Sequence, residues 1–270
     1  MDVQAYMAER IPLIDAGLEA RFGESAAMPS RLREAMRHLL FPGGKRLRPI
    51  FALAAAEAVG GSSSSAMPLA IAVELVHTYS LIHDDLPCMD DDAIRRGRPT
   101  VHVAYDEATA VLAGDALLSE AFSTLTTPAS PPADPAAVVF AVRTLAEAVG
   151  AGGLVGGQAD DLVFSSSTEI SAELAERTDQ LQLASIHARK TAALFAASVV
   201  GGAALAGADR AQCTSLEAFA MDVGIAFQIA DDLLDQDKDE ATSILRVQGV
   251  EDAKQTAQEL LDRALGRIES

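Results

Sequence analysis

Apolar residues return at helical spacing along most of this chain, and no stretch sustains the apolar–polar alternation of a half-buried strand. Alanine and leucine, both strong helix formers, fill many of the apolar positions. The pattern breaks where turn residues gather. These breaks are Gly60-Gly61-Ser62-Ser63-Ser64-Ser65 ahead of Pro68, the stretch around Pro128, Pro131, Pro132 and Pro135, and Ser165-Ser166-Ser167. Between them lie candidate helices of roughly 15 to 25 residues, suitable lengths for a bundle. No compositional shift marks a second unit, and the only echo is between two aspartate-rich motifs. The pattern predicts one all-α domain over residues 1–270.

Each aspartate motif closes an apolar segment. The first reads His83-Asp84-Asp85-Leu86-Pro87-Cys88-Met89-Asp90-Asp91-Asp92 and runs on to Arg95-Arg96-Gly97-Arg98-Pro99-Thr100. The second reads Phe227-Gln228-Ile229-Ala230-Asp231-Asp232-Leu233-Leu234-Asp235. Carboxylates this dense repel one another, and burying them without counter-charge costs several kcal/mol each. They need cations. Oxygen ligands on two facing helices suit Mg²⁺, which keeps several waters and is completed by substrate phosphates. The motifs therefore point to a diphosphate bound through metal. In the second, Gly224, Gln228, Asp231 and Asp235 follow at +4, +3 and +4 and share one stripe. In the first, His77 lies seven residues before Asp84, two turns along the same side. Pro87 and the extra residues before Asp90 are expected to end the helix and let Asp90 fold back toward Asp84. A lone Asp-Asp-x-x-Asp is weak; two copies, one followed by Arg-Arg, are a strong signal.

Charge sharpens this reading. A net charge of −18 argues against nucleic acid or anionic membrane as a partner. Of the 21 Lys and Arg residues, eight fall in three groups: Lys45, Arg46 and Arg48; Arg95, Arg96 and Arg98; Arg189 and Lys190. One such group is usually a set of ion pairs on a solvated face; three beside two acidic motifs suggest phosphate recognition. The Gly43-Gly44 turn before Lys45 suits backbone approach to a phosphate. Although hydrophobic residues make up 49%, no apolar run approaches the uninterrupted ~20 residues of a membrane span. The stretch Met1-Asp2-Val3-Gln4-Ala5 lacks the features of a signal peptide. Cys88 and Cys213 are too few for a disulfide framework or a zinc site. A cytoplasmic protein without stable membrane insertion is expected.

The chain resembles the trans-isoprenyl diphosphate synthases, most closely the bacterial short-chain farnesyl and geranylgeranyl diphosphate synthases. The resemblance is carried by Gly43-Gly44-Lys45-Arg46-Leu47-Arg48-Pro49, His77 to Thr100, Gly114-Asp115, Gly157-Gln158-Ala159-Asp160-Asp161, Lys190-Thr191 and Phe227 to Asp235. It implies a bundle of long helices around a central cavity, in a homodimer. It also implies prenyl transfer, in which isopentenyl diphosphate adds to the carbocation left when an allylic diphosphate ionises. Asp84, Asp90 and Asp231 would then bind three Mg²⁺ ions, with Asp85 and Asp235 orienting metal-bound water. Arg95 and Lys190 would neutralise the leaving diphosphate, with Gln228 and Thr191 lining its site. Lys45, Arg48, His77 and Arg96 would hold isopentenyl diphosphate without metal. Gln158 and Asp161 are expected near the site.

One departure from the resemblance lies after Asp235, where relatives carry a longer loop with additional lysines. Here Lys238 is the only cation in a shortened stretch. For product length, Tyr79 stands five residues before Asp84, about 7.5 Å along a helix at ~1.5 Å per residue. In similar sequences an aromatic there closes the pocket. With Ser80 and the two extra residues in the first motif, it favours a C15 product, farnesyl diphosphate, over C20 geranylgeranyl diphosphate. A class I terpene cyclase would not need the second cationic group, and a non-catalytic partner subunit would be expected to have lost aspartates.

Overall fold

Helices form where apolar spacing and capping residues agree. In the computed structural model, residues 2–23, 28–130, 132–166, 181–234, 243–246 and 248–268 are described. They give α1 (Val3–Arg21), α2 (Ser30–Leu40), α3 (Leu47–Ala58), α4 (Ser63–Asp84), the short α5 (Val101–Ala104), α6 (Glu107–Leu125), α7 (Pro135–Val149) and α8 (Leu154–Ser166). Residues 181–187 are helical and pass through a π-helical turn, Ala188–Ala192, into α9 (Ala193–Leu205); α10 (Arg210–Leu234) and α11 (Val250–Ile268) follow. Starts carry the expected caps. Ser62 accepts the Ser64 N–H ahead of α4. Asp134 accepts the Ala136 N–H with Pro135 leading α7.

Helices apolar on all sides become the centre. α4 is buried on nearly every face and packs against α3, α6 and α9. α9 is buried from Leu194 to Leu205 and also touches α7 and α10. α11 lies along α10, where Asp222 accepts from Arg263 at 2.6 and 3.0 Å and from Arg267 at 2.8 Å. The outcome is the all-α architecture the pattern predicts, with one local exception. Ile94–Arg95 and Arg98–Pro99 form a two-residue antiparallel ladder, with Arg95 opposite Arg98. Its turn residues have positive φ, 54° at Arg96 and 72° at Gly97, the requirement of a tight type I′ hairpin.

A second sequence expectation needs correction. Three helical stretches, Ser63–Asp84, Pro135–Phe164 and Arg210–Leu234, are long and apolar enough to cross a membrane by length and composition. Isolated polar residues interrupt each one without lowering its mean hydropathy enough to exclude it. For Ser63–Asp84 the cause is core burial, since 78% of its most apolar window is covered by the fold. The other two windows are 28% and 33% covered.

One buried ion pair ties the basic loop to the central helix. Arg46, at the N-cap of α3, donates to Glu74 of α4 at 2.5 Å, and each residue is 2% exposed. Removing one partner of such a pair strands the other charge in the core. Glu74→Ala should therefore reduce the unfolding free energy by about 3–5 kcal/mol in urea denaturation. A loss below about 1 kcal/mol would show that the pair does not hold this junction.

Candidate active site

The first aspartate motif closes α4 as its sequence suggests. Asp84 is the last helical residue, and the following turn brings the Asp90 N–H back to the Asp84 carbonyl at 2.9 Å. Burial pushes the Asp84 carboxyl up to about 7, with Asp90 and Asp85 adding to the rise and Lys190 and Arg95 opposing it. Burial also raises Asp90, against the pull of Lys190. These carboxylates are thus held together with less positive charge than they require. Asp85 is fully buried. Its Oδ1 accepts from Arg95 at 2.7 Å, while its Oδ2 has no hydrogen-bond partner. Arg95 also reaches Asp92 at 2.7 Å.

Lys190 and Thr191 come from the π-helical turn, a distortion often found at functional sites. Lys190 Nζ donates to Asp161 Oδ2 of α8 at 2.6 Å. Burial alone would lower its pKa, but Asp84, Asp161 and Asp90 outweigh that and raise it. α8 can approach because Gly157 has no side chain: a Cβ there would lie 2.6 Å from the Lys190 backbone nitrogen. Gln158, beside it, is buried with its amide unpartnered.

On α10, Gly224 and Gln228 of the second motif's stripe face this turn. Thr191 donates its hydroxyl to Gln228 at 2.8 Å, and Gln228 donates to Asp232 at 2.9 Å. Asp232 also accepts the Ile244 N–H at 2.7 Å, fastening the turn Ile244–Arg246 to α10. Asp231 is partly exposed and close enough to Arg48 to favour its charge. Asp235 and Lys238 lie outside the described residues.

The second face is cationic. His77 of α4 lies among Arg48, Arg96, Arg46 and Arg95; burial, then these four charges, hold its imidazole well below the ordinary histidine range. It is a neutral ring among guanidinium groups. Arg48 stacks over the Phe195 ring at 4.7 Å, and its Nε is buried without an acceptor. Burial lowers its pKa to about 10, with Glu74 and Asp231 opposing. Lys45 is exposed at the same loop. An unpaired buried donor amid like charges is a site for an anion.

Tyr79 is 5% exposed, its hydroxyl has no partner, and its ring meets His83 edge-on at 5.7 Å. Ser80 spends its hydroxyl on the His77 carbonyl at 2.9 Å. Sequence reasoning gave Asp232 no role of its own and read Arg46 and Arg98 only as members of the cationic groups. Asp232 and Arg46 are buried charges with partners in the fold. Among the described residues no three His, Cys, Asp or Glu side chains form a ready-made metal cage. Oxygen donors with unmet charge nevertheless fit Mg²⁺, which takes one or two carboxylates and completes its shell with water and phosphate.

Comparison with known proteins gives the family. Residues 29–257 match the family model described as polyprenyl synthetase. A geranylgeranyl pyrophosphate synthase of Capsicum annuum is 42% identical over 89% of this chain and 67% of its own length. A farnesyl diphosphate synthase of Bacillus subtilis is 43% identical over 86% of this chain and 75% of its own. The crystal structure of a Zymomonas mobilis FPP/GFPP synthase superposes with a TM-score of 0.88 at 38% identity, covering 98% of this chain and 92% of that one. The chain belongs to the polyprenyl synthetase family, a family of all-α prenyltransferases.

Proposed function

We propose that the protein is a short-chain prenyl diphosphate synthase that joins isopentenyl diphosphate head-to-tail to dimethylallyl and geranyl diphosphates, ending at farnesyl diphosphate. The observation that carries the reading is the pairing of two unlike surfaces: buried carboxylates short of cations, and guanidinium groups around a neutral His77 short of anions. Two diphosphates, one with metal and one without, satisfy both. A class I cyclase would leave the second surface unused, and a silent partner subunit would not need the first.

Asp84, Asp90 and Asp231 would hold three Mg²⁺ ions, with Asp85 and Asp235 orienting their waters. When bound, Mg²⁺ supplies charge neutralisation for the departing diphosphate. Lys190 adds a fixed positive charge where negative charge develops, as does Arg95, oriented by Asp85 and Asp92. Thr191 and Gln228 donate or accept at the edge of the same site. Arg48, Arg96, Lys45 and His77 hold isopentenyl diphosphate so that its double bond meets the allylic carbon once the C–O bond breaks. The released diphosphate takes the final proton, so no protein nucleophile is required. For the protomers we propose single domains paired in a cytoplasmic homodimer. A second copy would cover the exposed Leu112 of α6 and Val139 of α7, 57% and 69% accessible.

The C15 product rests on Tyr79, a bulky side chain on α4 between Asp84 and the interior of the bundle. Relatives named for both C15 and C20 products make this the finer part of the proposal. Incubation with isopentenyl diphosphate, dimethylallyl diphosphate and Mg²⁺ should give farnesyl diphosphate on chromatography of the dephosphorylated products. Tyr79→Ala should shift them to C20 or longer; an unchanged profile would assign the limit to another residue. A second test separates the two surfaces. Arg48→Ala should raise the KM for isopentenyl diphosphate by the equivalent of ~1.5–3 kcal/mol, the worth of a charged contact. Lys190→Ala should chiefly weaken the allylic substrate and slow turnover. Both variants raising the same KM would refute the assignment.

A further inference from the structure

A metal-free diphosphate site needs guanidinium groups side by side, and the fold must hold them without cancelling their charge. Carboxylate partners would fix the side chains but neutralise them. Backbone carbonyls fix them and leave the charge in place. The last carbonyls of an α-helix lack intrahelical donors, and that end carries roughly half a negative charge.

The C-terminus of α2 is used in this way. Arg98 Nη1 donates to the His38 and Phe41 carbonyls at 3.0 and 2.8 Å. Arg96 Nη1 donates to Leu39 at 3.0 Å, and Arg46 Nη2 to Leu40 at 2.6 Å. Four successive carbonyls thus take three guanidinium groups. Gly43 and Gly44 leave the space these groups occupy. A Cβ on Gly43 would collide with the Arg46 guanidinium, and one on Gly44 would lie 2.7 Å from Arg96 Nη2. The glycine pair thus makes room for the arginines, a role beside the expected backbone approach to a phosphate.

The three arginines are not equivalent. Arg46 is buried and paired with Glu74 and Asp15. Among the described residues, Arg96 and Arg98 form no ion pair; their anchors are carbonyls. Arg96 lies at the exposed tip of the hairpin turn with φ 54°, a conformation that its own side chain does not favour. Arg98 lies on the returning strand, opposite Arg95, and His38 answers it by donating Nε2–H to the Pro99 carbonyl at 2.7 Å. Arg98 and His38 stitch the hairpin to α2 from both directions.

We propose that Arg98 is a positioning residue for the metal-free diphosphate: by clamping the hairpin onto the terminal carbonyls of α2, it holds Arg96 beside Arg48 and His77 with no carboxylate bonded to it. This rests on the prenyl-transfer reading above and adds to it a residue that touches no reacting group. A hairpin clamp of purely structural worth would act on stability and on both substrates alike. A clamp that aims Arg96 acts on one of them.

Steady-state kinetics of Arg98→Met and Arg98→Lys, with thermal melting of each, make the test. Arg98→Met keeps the apolar stem and removes the donors. It should raise the KM for isopentenyl diphosphate about tenfold, the size of one misplaced charged contact. The KM for the allylic diphosphate and kcat should stay within about twofold. Arg98→Lys, which can still donate to the carbonyls, should recover part of the loss. If Arg98→Met does not fold, a selective rise in the same KM for Arg98→Lys carries the test. An unchanged KM for isopentenyl diphosphate overturns the proposal. So does a parallel loss of both KM values and kcat that tracks a lower melting temperature. Absence of turnover in the unaltered protein would sink the functional reading instead. Calorimetry with inorganic pyrophosphate, without divalent metal, would then decide on Arg98: about tenfold weaker binding in Arg98→Met supports the clamp, and equal binding refutes it.

Discussion

Asp84 and Asp90 are held together by the hydrogen bond that folds Asp90 back onto the end of α4, and burial leaves both short of counter-charge. Much of the surrounding structure can be understood from that imbalance. Lys190 is brought in by a π-helical distortion and steadied by Asp161, while Arg95 is locked onto Asp85 and Asp92. These two cations are too few to settle the acidic cluster. Burial raises the Asp84 carboxyl, so its charge is costly to hold until a cation joins it. A site so arranged is ready for metal and for the anion that metal brings.

The cationic surface inverts the same logic. Here guanidinium groups are gathered around His77, and the burial that disfavours their charge is offset chiefly by Glu74 and by the carbonyl end of α2. Arg46 takes the buried carboxylate of Glu74, which ties the loop to the central helix. Arg96 and Arg98 take carbonyls instead. The division matters because a carboxylate would serve equally well as a mechanical anchor but would compete with a diphosphate. α4 links the two surfaces: Glu74 and His77 on its body face the arginines, and Asp84 at its end faces the acidic cluster.

Much of this was legible in the chain. Helical spacing gave the all-α architecture, and Pro87 with the extra residues after Asp85 anticipated the turn that returns Asp90 to Asp84. Gly224 and Gln228 of the predicted stripe do face the turn bearing Thr191. What stayed hidden depends on contacts between distant segments. Asp232 reads like its neighbour Asp231, yet it is spent on Gln228 and the Ile244 N–H. Arg98 reads like one more phosphate-binding cation, yet its partners are carbonyls roughly sixty positions earlier in the sequence. Spacing reveals which residues share a helix face, but not which of several arginines a distant helix end will claim. Hydropathy has the same limit, because the central position of α4 makes a core helix as apolar on average as a membrane span.

The central claim is that two diphosphates bind side by side, only one of them through metal. Calorimetric titration with and without Mg²⁺ tests it most directly. The ligands would be an allylic thiolodiphosphate, whose C–S bond resists ionisation, and isopentenyl diphosphate. The allylic analogue should bind at least about a hundredfold more tightly with Mg²⁺, a difference of ~2.7 kcal/mol, while isopentenyl diphosphate binds the free protein about equally under both conditions. An equal metal dependence for both ligands, or none for either, would contradict the account.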